Sequence, residues 1–245
     1  MLMKTQSSPS LWTAFLEINH RRRAIRDFDR TAVLADGEVR EILTEAARAP
    51  SSGNLQPYRF HWVRDPDMRA RLAAACNGQR AAASAAALIV VAASPQIALS
   101  TASQQLAHVS ADSELPERAK VYHRKQLRMF RRVLGTGSWA PWTLLTSLAA
   151  LIRPALSLLP VGHLGGRGWV ARNSAYAAQT LMLAAAAKGI DSCPMEGFSA
   201  PKVVDLLGLP RGTVIPVIIA LGYRASNARV EQQWRRASAE AVVEH

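Results

Sequence analysis

The hydrophobic patterning of the chain predicts an α+β architecture, with helices layered around one sheet. Three short runs read as strands: Tyr58–Val63, rich in aromatics; Leu88–Ala93 (LIVVAA), apolar throughout; and Val214–Tyr223. Between them the apolar residues recur at helical spacing. Helices that interleave with buried strands favour layers around a single sheet.

Each helix can be argued from its own residues. Around Glu38 to Ala47, the side chains Val39, Ile42, Leu43, Ala46 and Ala47 share one face, with Asp36 as the expected N-cap and Pro50 marking the end. A second helix opens on Asp65 and Pro66 and closes near Gly78. Glu117 to Val133 is basic and helical. Ala119, Tyr122, Met129 and Val133 are expected to line its inner face, leaving Arg118, Arg124, Lys125, Arg128, Arg131 and Arg132 in water. Asn173 to Lys188 is crowded with alanine and ends at Gly189. Its small side chains suit a central or dimer-interface helix. A short helix from Ala200 to Leu207 is expected to be capped by Ser199 and stopped by Gly208, and Pro216 places the last strand at an edge or makes it a strand start. The tail from Ala225 to His245 is polar and is expected to wrap over the body.

The chain's 245 residues suffice for one large domain, and 49% apolar with 20% charged residues is a globular composition. The formal charge of +12 predicts attraction to phosphates, anionic cofactors, nucleic acid or acidic lipid without choosing among them. Cys76 and Cys193 are far apart and form no CxxC pair, which points to a reducing compartment. The N-terminal residues lack the apolar run of a signal peptide. Trp139 to Val161 is largely apolar, but Arg153 and three prolines interrupt it. It reads as a lid or interfacial segment rather than a span.

Three segments are candidate sites. Arg21-Arg22-Arg23-Ala24-Ile25-Arg26 offers forked guanidinium donors that suit phosphate oxygens, and it also reads as a solvated helix end. Ala49 to Pro57 (APSSGNLQP) gathers hydroxyls, an amide and loop N–H groups that could face a polar ligand, or it is a turn-rich connector. Cys193 to Phe198 (CPMEGF) is punctuated by Pro194 and Gly197, and Gly197 permits close backbone approach to a flat ligand. The plain alternative is a helix–helix connector.

Taken together, these segments resemble the nitroreductase superfamily of FMN enzymes. Arg22, Arg23, Ala24, Ile25, Arg26, Asp27 and Phe28 match its basic opening motif. Pro50, Ser51, Ser52, Asn54, Gln56, Pro57 and Tyr58 match its second loop. Gly189, Ile190, Ser192, Pro194, Glu196, Gly197 and Phe198 match its third motif. The LLGLP run from Leu206 to Pro210 and the ALGY run from Ala220 to Tyr223 follow in order. The similarity covers about Arg21 to Ala93 and Gly168 to the C-terminus. Each motif alone is weak, and their order makes them specific.

The resemblance implies a mostly antiparallel central sheet flanked by helices, in one domain spanning residues 1–245, with a variable insertion or lid over about 94–167. It further implies a homodimer with FMN at the interface, NADH or NADPH as reductant, and a small electrophilic acceptor such as a nitroaromatic or quinone. Hydride would pass through flavin N5, with both reactants using one open flavin face in turn. By the same resemblance, Arg22, Arg23 and Arg26 hold the FMN phosphate and pyrimidine edge, and Ala24 between them is cofactor-binding. Pro50, Ser51, Ser52 and Asn54 reach the flavin from the partner subunit. Gln79 lies near the ring or ribityl chain. Pro194 and Met195 are cofactor-binding, and Glu196 and Gly197 place backbone N–H groups at the N5 edge. Arg235 and Arg236 form a late phosphate clamp. No side-chain nucleophile and no metal is expected.

Two positions depart from the pattern: Ala24 stands where the family often has serine, and Tyr58 where it has tryptophan. A deiodinase-like or flavin-cleaving relative, and a membrane-surface FMN protein without general reductase turnover, stay open as alternatives. The expected location is cytoplasmic, with membrane-surface contact through residues 117–161 as a secondary feature. Specific nucleic-acid binding is not expected, since no helix-turn-helix, zinc or RNP-like pattern occurs. Gly162-His163-Leu164-Gly165-Gly166 lacks a preceding strand for a dinucleotide site, and Gly135-Thr136-Gly137-Ser138 is not a hydrolase elbow.

Overall fold

The computed structural model describes residues 10–136 and 165–245. The expected lid at Trp139–Val161 lies outside the described residues. In chain order the elements are α1 (Leu11–Arg21), α2 (Asp36–Ala46), a 3-10 turn (Ser52–Asn54), β1 (Tyr58–Val63), α3 (Pro66–Ala75), α4 (Arg80–Ser84), β2 (Ala87–Ala93), α5 (Pro95–Ala111), α6 (Glu117–Thr136), α7 (Gly165–Ala187), β3 (Asp191–Met195), α8 (Ala200–Leu206), β4 (Val214–Gly222) and α9 (Ser238–Ala241). The α+β class is as expected.

The sheet is antiparallel, in the order β1-β2-β4-β3. β2 and β4 form its middle, which is why LIVVAA is buried on both faces. Alternation then separates two cores. Ile89, Val91, Ile219 and Leu221 face α2, α5, α6 and α7, while Leu88, Val90, Ile218 and Ala220 face α3, α4, α8 and the Ile25–Phe28 segment. Gly222 is needed because a Cβ there would lie 2.8 Å from the Phe28 ring.

Several local expectations change. Asp36 is the first residue of α2 rather than its cap, because its carboxylate turns to the Arg64 guanidinium. Ala47 is exposed, just past the end of α2. Asp65 does cap α3, accepting from the Met68 N–H at 2.7 Å. The buried face of α6 is Leu127, Phe130 and Leu134, whereas Tyr122 and Met129 are exposed. The helix is rotated from the expected stripe because α5 and the Ser52–Asn54 turn offer a seat to the larger Phe130 and leucine side chains. Pro216 sits near the start of an interior strand, not an edge. The β2–β4 register slips between Val91 and Ala93 opposite it, so its missing N–H falls at the irregularity. Strand β3 replaces the connector expected at Cys193–Met195, and as an edge strand it tolerates Pro194. Among the described residues, no helix is long and apolar enough to cross a membrane.

Candidate active site

The arginine segment leaves α1 as extended chain and is pinned to the sheet. Ile25 N–H donates to the Ser192 carbonyl at 3.1 Å, and Ala24 bridges Ser192 in parallel. Buried Ile25 and Phe28 anchor it from below, while Ala24 and Arg26 are exposed. Arg22 and Arg23 are half-buried. The C-terminal tail returns across this point, with the Arg23 guanidinium donating to the Glu231 carbonyl. Burial first, then the neighbouring Arg235 and Arg23 charges, push the Arg22 guanidinium below its ordinary pKa.

Nearby carboxylates are engaged elsewhere. Asp27 pairs with Arg80, and Glu231 with Arg229 at 3.7 Å. Among the described residues, no carboxylate pairs with Arg22, Arg23 or Arg235. Three converging guanidiniums with no internal counter-charge form a seat suited to a multiply charged anion. Arg236 is exposed on the same tail.

On the same side of the sheet, β3 runs out into the Glu196–Gly197 loop, where both residues are exposed. Gln79 holds this loop, donating through Nε2 to the Gly197 carbonyl at 2.7 Å, and Asn77 Nδ2 adds a second donor at 3.2 Å. A Cβ on Gly197 would meet Gln79 Nε2 at 3.1 Å, so glycine lets the amide close over the loop. Pro194 is exposed beside it. The Met195 side chain is buried with Cys193 and Ile218, which leaves only its backbone for a ligand. Both thiols are buried. Desolvation pushes Cys76 up to about 11 and raises Cys193 despite the nearby Arg26 charge, so neither is a thiolate at neutral pH.

The Pro50–Asn54 loop is built by different means. Asn54 N–H donates to the Ser51 carbonyl at 2.8 Å, and Gln56 N–H donates to Ser51 Oγ at 2.9 Å. Asn173, buried on α7, accepts the Ser52 N–H at 2.7 Å and donates to the Trp169 carbonyl at 2.9 Å. Gln105 of α5 donates to the Asn54 carbonyl. Ser52 and Asn54 are exposed. This loop packs with the α2–α7 layer, whereas the arginines and the Gly197 loop belong to the opposite face. Among the described residues, no hydrogen bond or ion pair joins the two groups within one chain.

The family model for the nitroreductase family matches residues 20–223. The chain belongs to the nitroreductase family. The match begins at the arginine segment and runs through the Gly197 loop to the end of β4, so it spans most of the geometry just described. Similar proteins include an NADH dehydrogenase of Thermus thermophilus, 31% identical over 205 residues and covering 84% of each chain. Protein DrgA of Synechocystis is 31% identical over 214 residues, covering 85% of this chain and 83% of its own. A protein of Exiguobacterium sibiricum solved in complex with FMN shares the fold, with a TM-score of 0.72 at 20% identity over 98% of this chain and 99% of that one. Membership makes this nitroreductase-family chain an oxidoreductase in its coarse class.

Asn173, Asn77, Gln105 and Phe130 hold the candidate loops, and the motif reading did not single them out. Asn173 had a signal: an amide inside an otherwise apolar, alanine-rich helix needs a partner. Tyr58 offers a test of local packing. Its hydroxyl is buried with no partner among the described residues, and burial raises its pKa. Tyr58→Phe is expected to stabilise the fold by about 1 kcal/mol, because it removes an unsatisfied polar group. Urea denaturation measures this, and a clear loss would reveal a partner for the hydroxyl.

Proposed function

We propose that the chain binds FMN and acts as an NAD(P)H-dependent oxidoreductase on a small electrophilic acceptor such as a nitroaromatic or quinone. The observation that carries this reading is the Arg22–Arg23–Arg235 cluster, in which Arg22 and Arg23 are half-buried and no internal carboxylate pairs with the three among the described residues. Its donor set fits a phosphate monoester, and it lies in a family with a fold relative solved in complex with FMN. When bound, FMN would accept hydride from NADH or NADPH and pass it to the acceptor.

The protein's part is to bind and orient. Arg22 and Arg23, with Arg235 and Arg236 from the tail, would hold the phosphate, and Arg26 would lie toward the pyrimidine edge. Gln79 fixes the Gly197 carbonyl, so the Glu196–Gly197 backbone is presented in one conformation with its N–H groups available to the reactive edge. Pro50, Ser51, Ser52 and Asn54 would come from a second copy. Their placement on the opposite face of the sheet supports a site completed by two chains. So do the exposed Leu11, Trp12 and Phe15 of α1, an apolar surface that a partner would cover.

Purified protein should be yellow, or turn yellow on adding FMN, and its visible absorbance should bleach under NADH or NADPH without oxygen. Comparing the two reductants gives the preference. A protein that takes up no FMN would overturn the reading.

A further inference from the structure

We propose that the outward face of α6 docks on an anionic phospholipid bilayer. This helix carries Arg118, Lys120, Arg124, Lys125, Arg128, Arg131 and Arg132 against the single carboxylate Glu117, a net +6 of the chain's +12. Glu117 is committed to Arg124 at 3.0 Å. The neighbouring α5 contains no aspartate or glutamate, so the helix beside it does not cancel the positive potential. The only acids in the connecting turn are Asp112 and Glu114, and Asp112 accepts the Glu114 and Leu115 N–H groups.

Geometry divides the helix into two faces. Leu127, Phe130 and Leu134 point into the core at helical spacing. On the opposite face Arg118, Lys125, Arg128 and Arg132 are interleaved with Val121, Tyr122 and Met129, which are 56%, 63% and 39% exposed. A solvated basic helix has no need of apolar side chains among its cations. A nucleic-acid duplex would attract the cations but gives an aliphatic and a thioether side chain nothing to enter. A lipid surface satisfies both, with headgroup phosphates for the guanidiniums and the acyl boundary for Val121, Tyr122 and Met129. The inner residue Phe130 rests on Gly53, so a docked α6 would hold the Pro50–Asn54 loop close to the bilayer. The inference does not depend on the cofactor reading, because its readout is sedimentation rather than turnover.

The test is co-sedimentation of the full chain with vesicles of phosphatidylcholine alone or mixed with phosphatidylglycerol, at low and high salt. Binding is expected on the acidic vesicles only and should weaken with salt. Each basic residue removed should cost about fivefold in partitioning, so Arg118→Gln/Lys125→Gln/Arg128→Gln should lose on the order of a hundredfold. Tyr122→Ser/Met129→Ser should lose several-fold at unchanged charge. All five positions are exposed, and circular dichroism checks that each variant stays folded. Three outcomes would overturn the proposal: no sedimentation with acidic vesicles, unchanged sedimentation of the triple variant, or duplex DNA binding tighter than vesicle binding and indifferent to the Tyr122/Met129 pair.

Discussion

Arg22→Gln is expected to weaken FMN binding by on the order of a hundredfold while leaving the cofactor-free fold at least as stable. A charge-assisted hydrogen bond to a phosphate contributes about 1.5–3 kcal/mol, and each 1.4 kcal/mol is roughly tenfold in affinity. Among the described arginines, Arg22 stands where the environment disfavours its charge: burial acts first, then Arg235 and Arg23. That strain is relieved when a dianion arrives, so Arg22 should contribute more to the anion than a fully solvated arginine does. Without ligand, the glutamine removes one of three like charges. The half-exposed setting and solvent screening limit the resulting gain to a few tenths of a kcal/mol. Flavin fluorescence titration and a thermal melt without FMN read the two effects separately. Arg48→Gln, on the outer surface beside Glu45, should change neither. Arg22→Gln that binds FMN as tightly as the parent would remove the cluster from the cofactor's seat.

The layered fold was legible because the strands that make the middle of the sheet are apolar at every position. Leu88–Ala93 and Val214–Gly222 leave no polar face to confuse the reading. The edge strand β3 was hidden by Pro194 and by its brevity, since only its pairing with β4 makes it a strand. Helix α1 was hidden for the opposite reason. It buries no residue, so Leu11, Trp12 and Phe15 leave no core-facing stripe to detect. On α6 the periodicity was visible but its phase was not. Apolar residues occur on both faces, and only packing against Gly53 and Trp169 selects Leu127, Phe130 and Leu134 as the inner set. For the site, the motif order brought out the arginines, Gln79 and the Gly197 loop, which the structure gathers on one face of the sheet. The Arg22–Arg235 approach was not legible from spacing alone, because it spans nearly the whole chain and depends on where the tail returns. The separation of the Pro50–Asn54 loop from that face is likewise a property of the folded layers.

Among the described glycines, Gly53→Ala is expected to be the most disruptive added methyl, costing about 2–5 kcal/mol. Two independent penalties meet at this residue. Its φ of +61 lies in the left-handed region, where an L side chain costs roughly 1–2 kcal/mol. A Cβ would also stand 2.6 Å from Phe130 Cε2, an overlap of the kind that costs about 1–3 kcal/mol when a packed core must shift. The ring cannot easily retreat. It is 4% exposed and packs at 6.1 Å between centroids against Trp169, which is itself 1% exposed. Gly208 supplies the control, since its φ is +59 and a Cβ there meets nothing within 4 Å. Gly208→Ala should therefore show the backbone penalty alone, about 1 kcal/mol. The steric part should be coupled to Phe130, so Gly53→Ala is expected to cost about 1 kcal/mol less in a Phe130→Leu background than in the parent. Urea denaturation of the four proteins of that cycle, with Gly208→Ala alongside, makes the measurement. If Gly53→Ala proves no worse than Gly208→Ala, the Phe130 ring yields freely and α6 does not brace the loop. If the expected loss appears, the Ser51–Asn54 backbone is held from below by α6 as well as from the side by Asn173. A loop fixed at both points presents Ser52 and Asn54 outward in one arrangement, as a site shared between two chains requires.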